Sequence, residues 1–440
     1  MPPILAQGAS RLHPAVLCAG AARISGLTAL MLTATVAQGL AQDAAMVVPV
    51  PEFITGESVM QRFDRLHRPE GFQLGSFQLN ARLDLSLGYG TNIYDSHDHA
   101  QDDGYAVTGL GFSAVSAQPD EALDVDGLIN RTTYFSQSSN NEWSGRILAG
   151  GWKDVGDNLR VNGNAMVARE VERRDDPQSS PQTEPVLYWH YKAGAGVETQ
   201  NAIITLSGGV AFDRVDYDNV NSTSGDISLS ERNMNEIDAT TRASYNIDTD
   251  RIIYLETVGN VRLPDDRYDS NGLRRQSAGV VSSLGANYAV SPALRFVTEL
   301  GYRHQAYVDS QVANIDGPRA IAQAVWTPLL TTEITAQFAH DYYESFDGAT
   351  PGYWLDSAAL TLTQELNRDL VLVAQGSTGY RNFVDSSRYE HVYTFQAGMR
   401  WNVTTGLVVG LDNTFEYQTA RATQGKFDSN VTLLHVTKTF

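Results

Sequence analysis

Two short stretches gather side chains that could do chemistry. His97, Asp98 and His99 are followed by Asp102 and Asp103, imidazoles and carboxylates that could hold a cation or could equally form a solvated acidic loop. Asp265, Asp266 and Asp269, with Asn271, offer oxygen ligands for calcium but miss the D-x-D-x-D-G-x5-E order of a calcium loop. No G-x-S-x-G occurs, and the nine histidines are too scattered for a Ser/His/Asp set. No catalytic residue, metal centre or cofactor is therefore expected, and no enzyme.

A larger group of charged residues is set apart by regular spacing. Arg82, Asp84, Arg160, Glu236, Asp238, Arg242, Glu256, Arg262, Arg295, Glu299, Arg303, Glu333, Asp341, Asp412 and Glu416 fall on the polar side of alternating stretches. Charges of both signs at every second position suit the wall of a water-filled lumen, where they set up a field across a constriction or pair with their neighbours. These are the candidate channel-lining residues.

The elements that must position them follow from the same period of two. In FQLNARLDLSLGY, Phe77, Leu79, Ala81, Leu83, Leu85, Leu87 and Tyr89 share one face, against Gln78, Asn80, Arg82, Asp84 and Ser86. The division recurs at Ile237 to Ile247, at Leu294, Phe296, Leu300 and Tyr302, and at Ile334, Ala336, Phe338 and Tyr342. Tyr89, Tyr245, Tyr302, Tyr342 and Tyr417 lie near strand ends, where an interfacial girdle needs aromatic rings. Such strands exceed the roughly five or six residues usual in soluble sheets.

The connections between them come in two kinds. Short ones stand near residues 118, 155, 199, 248, 291, 327, 367 and 403, and long polar ones near 95, 173, 219, 264, 310 and 345. Alternation of the two predicts a transmembrane antiparallel β-barrel with turns in the periplasm and loops outside, of about 18 strands, with 16 also compatible. Absence of a fixed repeat argues against a propeller. A closed barrel also reconciles the modest hydropathy with a membrane, because only alternate side chains meet lipid while every backbone group finds a partner.

Three regions are expected along the chain. Residues 1–41 read as a signal peptide, with Arg11 and Arg23 ahead of ISGLTALMLTATVA and a small-x-Ala pattern before a cut after Ala41. The sole cysteine, Cys18, precedes that cut. Residues 42–74 read as a periplasmic lead-in, either a short helix or plug or a mobile tail, with Thr55 or Ser58 as cap and Val59, Phe63 and Leu66 at helical spacing. Residues 75–440 form the barrel. The formal charge of −19, about −21 without the leader, argues against a nucleic-acid partner. Expected surroundings are outer-membrane lipid and lipopolysaccharide, with the barrel assembly machinery as partner. The last strand must close on the first, with Phe440 at the periplasmic rim as the assembly signal and Lys438 snorkelling beside it.

The run RPEGFQLGSFQLNARLDLSLGYGTNIYDS resembles the opening of the putative β-barrel porin 2 family of Gram-negative outer-membrane proteins, through Gly71, Gly75, Phe77, Asn92, Ile93 and Tyr94. Lys438 departs from the apolar residue usual in the terminal signal. The resemblance implies an outer-membrane barrel, and a role in exopolysaccharide export with polysaccharide as cargo. From the residues themselves, the leading expectation is a porin-like channel for passive passage of hydrophilic solutes, whose acidic lumen disfavours anions. A structural or adhesive barrel acting through its long loops is the third.

Overall fold

The computed structural model describes residues 57–98, 100–177, 184–199, 201, 203–222, 225–345, 350–420 and 425–440. The expected signal peptide and the first part of the lead-in lie outside the described residues.

Eighteen long strands carry the fold. The first six are β1 (Phe77–Thr91), β2 (Asp103–Ala117), β3 (Glu121–Tyr134), β4 (Glu142–Val155), β5 (Leu159–Val171) and β6 (Leu187–Thr199). Next come β7 (Ile204–Tyr217), β8 (Met234–Asp248), β9 (Arg251–Pro264), β10 (Ser277–Ser291), β11 (Leu294–Tyr307) and β12 (Ile315–Leu329). The last are β13 (Thr332–Glu344), β14 (Gly352–Asn367), β15 (Leu370–Phe383), β16 (Tyr389–Thr404), β17 (Leu407–Ala420) and β18 (Phe427–Thr439). Each is antiparallel to its chain neighbour, and β1 pairs with β18 from Arg82↔Thr439 to Thr91↔Asn430. The sheet is thereby closed, and the terminal strand has two partners instead of an open edge.

All eight expected short turns join strands on one rim. The six expected long loops lie on the other, together with three shorter connections that were not expected, at 135–141, 384–388 and 421–426. Their brevity hides them in the sequence, since a polar run of that size resembles a turn.

Exposure follows the alternation. On β1, Leu85, Leu87 and Tyr89 are exposed while Asp84 and Ser86 are buried. Tyr245, Tyr302 and Tyr417 are likewise exposed, as girdle residues should be. Tyr342 departs from the expectation: it is 5% exposed and lies among interior side chains. The Lys438 ammonium lies 5.6 Å from the ring centre of Phe440 and donates to the Thr405 carbonyl at 3.3 Å, so it reaches the turn at the rim.

Candidate functional site

The interior is narrowed at its periplasmic end by a helix, α1 (Val59–His67). Ser58 accepts from the Gln61 amide and Gln61 returns the bond to the Ser58 amide, a capping box worth about 0.5–2 kcal/mol. Pro69 cannot continue the helix, and Gly71, at φ +69°, turns the chain where a Cβ would meet the Leu79 carbonyl at 2.3 Å. Val59, Phe63 and His67 are the buried face. Leu66, expected there, is exposed, and His67 takes its place because its ring is bound by the Phe63 carbonyl at 2.7 Å and Asp369 at 3.1 Å.

Contacts with the inner wall fix α1 as a chord across the mouth. The Val59 amide donates to Glu333 of β13, Arg62 pairs with Glu365 of β14, and Arg68 donates to Ser113 of β2. Gly406, in the turn before β17, donates to the His67 carbonyl at 2.8 Å.

A second obstruction comes from the extracellular side. The loop leaving β5 turns inward at Glu172, and its next residues reach strands ten to twelve places on in a ring of eighteen, across the lumen. Asp175 pairs with Arg381 of β15 at 3.0 Å, and Arg173 reaches Glu416 of β17 at 3.4 Å. Arg388, just ahead of β16, donates to the Pro177 carbonyl at 3.2 Å. Arg381 also holds Glu390 of β16 at 3.0 Å, and these side chains are almost fully buried. Burial alone would raise the Asp175 carboxyl, but Arg173 and Arg381 outweigh it and hold it below the usual carboxylate range. At the root of the loop, Glu172 pairs with Arg232, and burial pushes its carboxyl up to about 7. The stretch 172–177 is thus an ion-paired bridge over the lumen, where a polar loop in solvent was expected.

The expected lining residues are distributed around the inner wall rather than collected in one site. Arg82 pairs with Asp84 at 2.7 Å, and Arg160 pairs with Asp154 at 2.7 Å over the Trp152 ring. Arg242 pairs with Glu256, and Arg262 joins Glu236 to Glu344. Arg319 joins Glu299 to Asp341, which also holds Arg303 at 3.0 Å. Asp412 pairs with Arg400 at 2.8 Å and faces His435 at 3.3 Å. Glu333 and Glu416 instead meet α1 and the bridge, Arg295 lies within electrostatic reach of Glu333, and Asp238 lies within reach of Glu236 and Arg262. Opposite charges thus meet at neighbouring inward positions, with buried apolar side chains such as Val297, Ile321 and Val371 among them.

The acidic loop residues serve the rim. Asp102 accepts from the Asn92 amide and Asp103 from the amides of Ser136 and Gln137, while Asp265 pairs with Arg214 and Asp269 with Arg275. His97 lies 3.8 Å from Asp98, and His99 lies outside the described residues. Among the described residues, no three ligating side chains converge on a point that would hold a metal.

A polar lining within a closed eighteen-strand barrel is the architecture of a porin, and the sequence matches the family described as putative beta-barrel porin 2 over residues 66–440. The chain belongs to that family. It is a porin-like barrel of the outer membrane. Solved structures with a similar fold include OccAB3 of Acinetobacter baumannii, at 14% identity and TM-score 0.45, over 82% of this chain and 99% of that one. OccK2 (OpdF) of Pseudomonas aeruginosa, crystallised with glucuronate, aligns at 11% identity and TM-score 0.48, over 84% and 100%. A BenF-like porin from Pseudomonas fluorescens Pf-5 aligns at 10% identity and TM-score 0.48, over 83% and 100%. No curated protein sequence matches. These identities are too low to carry a ligand across to this porin.

Residues of the family-like opening have visible structural work. Asn92, at φ +53°, donates to the Ser96 and Asp428 carbonyls and accepts from the Ser96 amide, tying the first loop to β18. Tyr94 accepts from Asn140 at 2.8 Å and lies under the Arg174 guanidinium of the bridge. Gly75, at φ +60°, makes the turn between Leu74 and Phe77. Sequence reasoning missed Arg173, Asp175, Arg381, Arg388 and Glu390. The R-x-D spacing of Arg173 and Asp175 is the one local trace of the bridge, and it is common in solvated loops.

Proposed function

We propose that this porin conducts small hydrophilic solutes passively across the outer membrane, along a path whose width is set by the 172–177 bridge and α1. The bridge carries the argument: a loop anchored by buried ion pairs on the opposite wall divides the lumen, as a size-selecting constriction must. The mixed inner charge passes polar solutes, and the acidic balance of the chain gives a mild preference for cations. The inward charged residues act as the channel lining. Export by a leader cleaved after Ala41, contact of the apolar band with lipid and lipopolysaccharide, and recognition of the strand ending in Phe440 by the assembly machinery belong to the same reading. Among the described residues, no geometric feature favours polysaccharide export, adhesion or catalysis.

Purified protein in a planar bilayer should give discrete conductance steps, with a reversal potential displaced towards that of the cation in a salt gradient. An intact barrel, recognised by its heat-dependent gel mobility, that carries no current would overturn the proposal.

A further inference from the structure

The outer ends of β13 and β14 do not stand in the wall. Phe338 on β13 and Leu360 and Leu362 on β14 are exposed towards lipid, so the even-numbered positions of both strands face out. Tyr342 and Trp354, paired across this hairpin, belong to that outer face. Yet the Tyr342 hydroxyl lies 3.2 Å from that of Tyr307, which shares the inner face of β11 with Arg303 and Gln305. The Trp354 ring occupies the place where a Cβ on Gly317 would stand, at 2.4 Å, and Gly317 shares the inner face of β12 with Arg319 and Ile321. An outer face can touch its neighbours' inner face only if the hairpin end lies on the lumen side of them.

The ladder agrees. β12 and β13 pair from Leu329↔Thr332 to Ala320↔His340 and no further among the described residues. β12 continues to pair with β11 up to Ile315, and β13 with β14 up to Glu344. Residues 315–319 are left with a strand on one side, and Pro318, which has no N–H to offer a second ladder, stands among them.

We propose that these strand ends, 341–344 and 352–355, are a gate that moves between the inward position and a wall position in which the β12–β13 ladder continues in register. The extended register would keep Arg319 beside Asp341, which it already meets at 2.8 Å, and would return Tyr342 and Trp354 to the lipid interface, where aromatic rings are favoured; against it stands Asp316 opposite Glu344, a pair of like charges. Polar contacts hold the inward position: Tyr307 to Glu344 at 3.1 Å, Arg262 to Glu344 at 3.3 Å, and Arg275 to the carbonyls of Ser345 and Thr350 at 3.2 and 2.7 Å. A short ladder would replace them, so hydrogen bonds are exchanged rather than lost, which is the condition for two accessible states. Tyr353 lies 6.0 Å from the Arg381 guanidinium that anchors the bridge, so outward movement removes one side of the constriction.

The gate rests on the channel reading, and two variants separate them. Gly317→Ala places a methyl group against the Trp354 ring and should shift single-channel recordings towards a larger conductance level. Asp316→Cys with Glu344→Cys, in a Cys18→Ser background, sets thiols on opposite sides of β12 in the inward position and side by side in the wall position. An added thiol oxidant should cross-link them, seen as altered gel mobility, and should hold the larger level until reductant is added. Failure of the folded barrel to cross-link, or unchanged conductance in Gly317→Ala, would overturn the gate. A cross-link in a barrel that carries no current would support the moving arm and overturn the channel reading instead.

Discussion

Replacing Arg381 by Met should release the bridge. The Arg381 side chain is 5% exposed and holds the Asp175 and Glu390 carboxylates, each 2% exposed, at 3.0 Å. It also donates to the Asp175 carbonyl at 3.0 Å and to Gln418 at 3.3 Å. Methionine keeps most of the volume and removes the cation, leaving two buried carboxylates with reduced compensation. Loss of one partner from a buried ion pair costs about 3–5 kcal/mol. Asp175 retains Arg173 at 2.5 Å and Glu390 retains Arg388 at 2.6 Å, so the lower end of that range applies. At about 1.4 kcal/mol per tenfold, the docked loop loses roughly two decades of its advantage over the undocked one. Two assays read this: single-channel conductance, expected to become larger and noisier, and trypsin added from the extracellular side, expected to cut at Arg173 or Arg174. Adding Asp175→Leu should recover part of the docking, because an apolar pair replaces a stranded charge. An Arg381→Met barrel that keeps its heat-dependent mobility, conducts as the parent does and resists trypsin would refute the reasoning.

Three further outcomes are expected. Glu172 has its carboxyl raised from 4.5 to about 7 by burial in the docked loop, so docking is fully favoured below pH 4.5, weakens as the pH rises to about 7, and levels off above. Trypsin sensitivity at the bridge should rise across that window and be flat in Glu172→Gln. Phe63→Ala removes a ring that is 3% exposed and should weaken α1 docking by about 3–5 kcal/mol, read as greater protease access to α1 from the periplasmic side and a larger conductance. Gly410→Ala would bring a Cβ within 2.0 Å of the His435 ring, and overpacking of about 1–3 kcal/mol should lower the temperature at which the barrel loses its folded mobility on a gel.

Much of the barrel is legible along the chain because alternation is a local property. Leu85, Leu87 and Tyr89 face lipid and Asp84 and Ser86 face inward simply because successive side chains leave a strand on opposite sides. The eight short turns are equally local. Helical spacing near Val59 and Phe63 pointed to α1 but put Leu66 on its buried face, where His67 stands instead, since both lie within the same broad arc. A hydrogen bond to Asp369, 302 residues away, settled it.

The lining residues show the same limit. Arg82 and Asp84 pair two residues apart, so their partnership can be anticipated from the alternation, whereas Arg262 reaches Glu344 from 82 residues away. Nothing local marks Asp175 as buried: a carboxylate beside arginines reads alike whether water or the opposite wall surrounds it. Its contact with Arg381 spans 206 residues.

By itself, then, the sequence determined that this chain is a closed outer-membrane barrel, which of its faces meet lipid, and where it makes its eight short turns. The period of a strand is dictated by covalent geometry and carries that information residue by residue. Tertiary structure alone decided that the loop after β5 bridges the lumen, that α1 spans the periplasmic mouth, and that Tyr342 and Trp354 leave the lipid face. Those outcomes depend on which distant charges and rings meet once the ring of strands has closed.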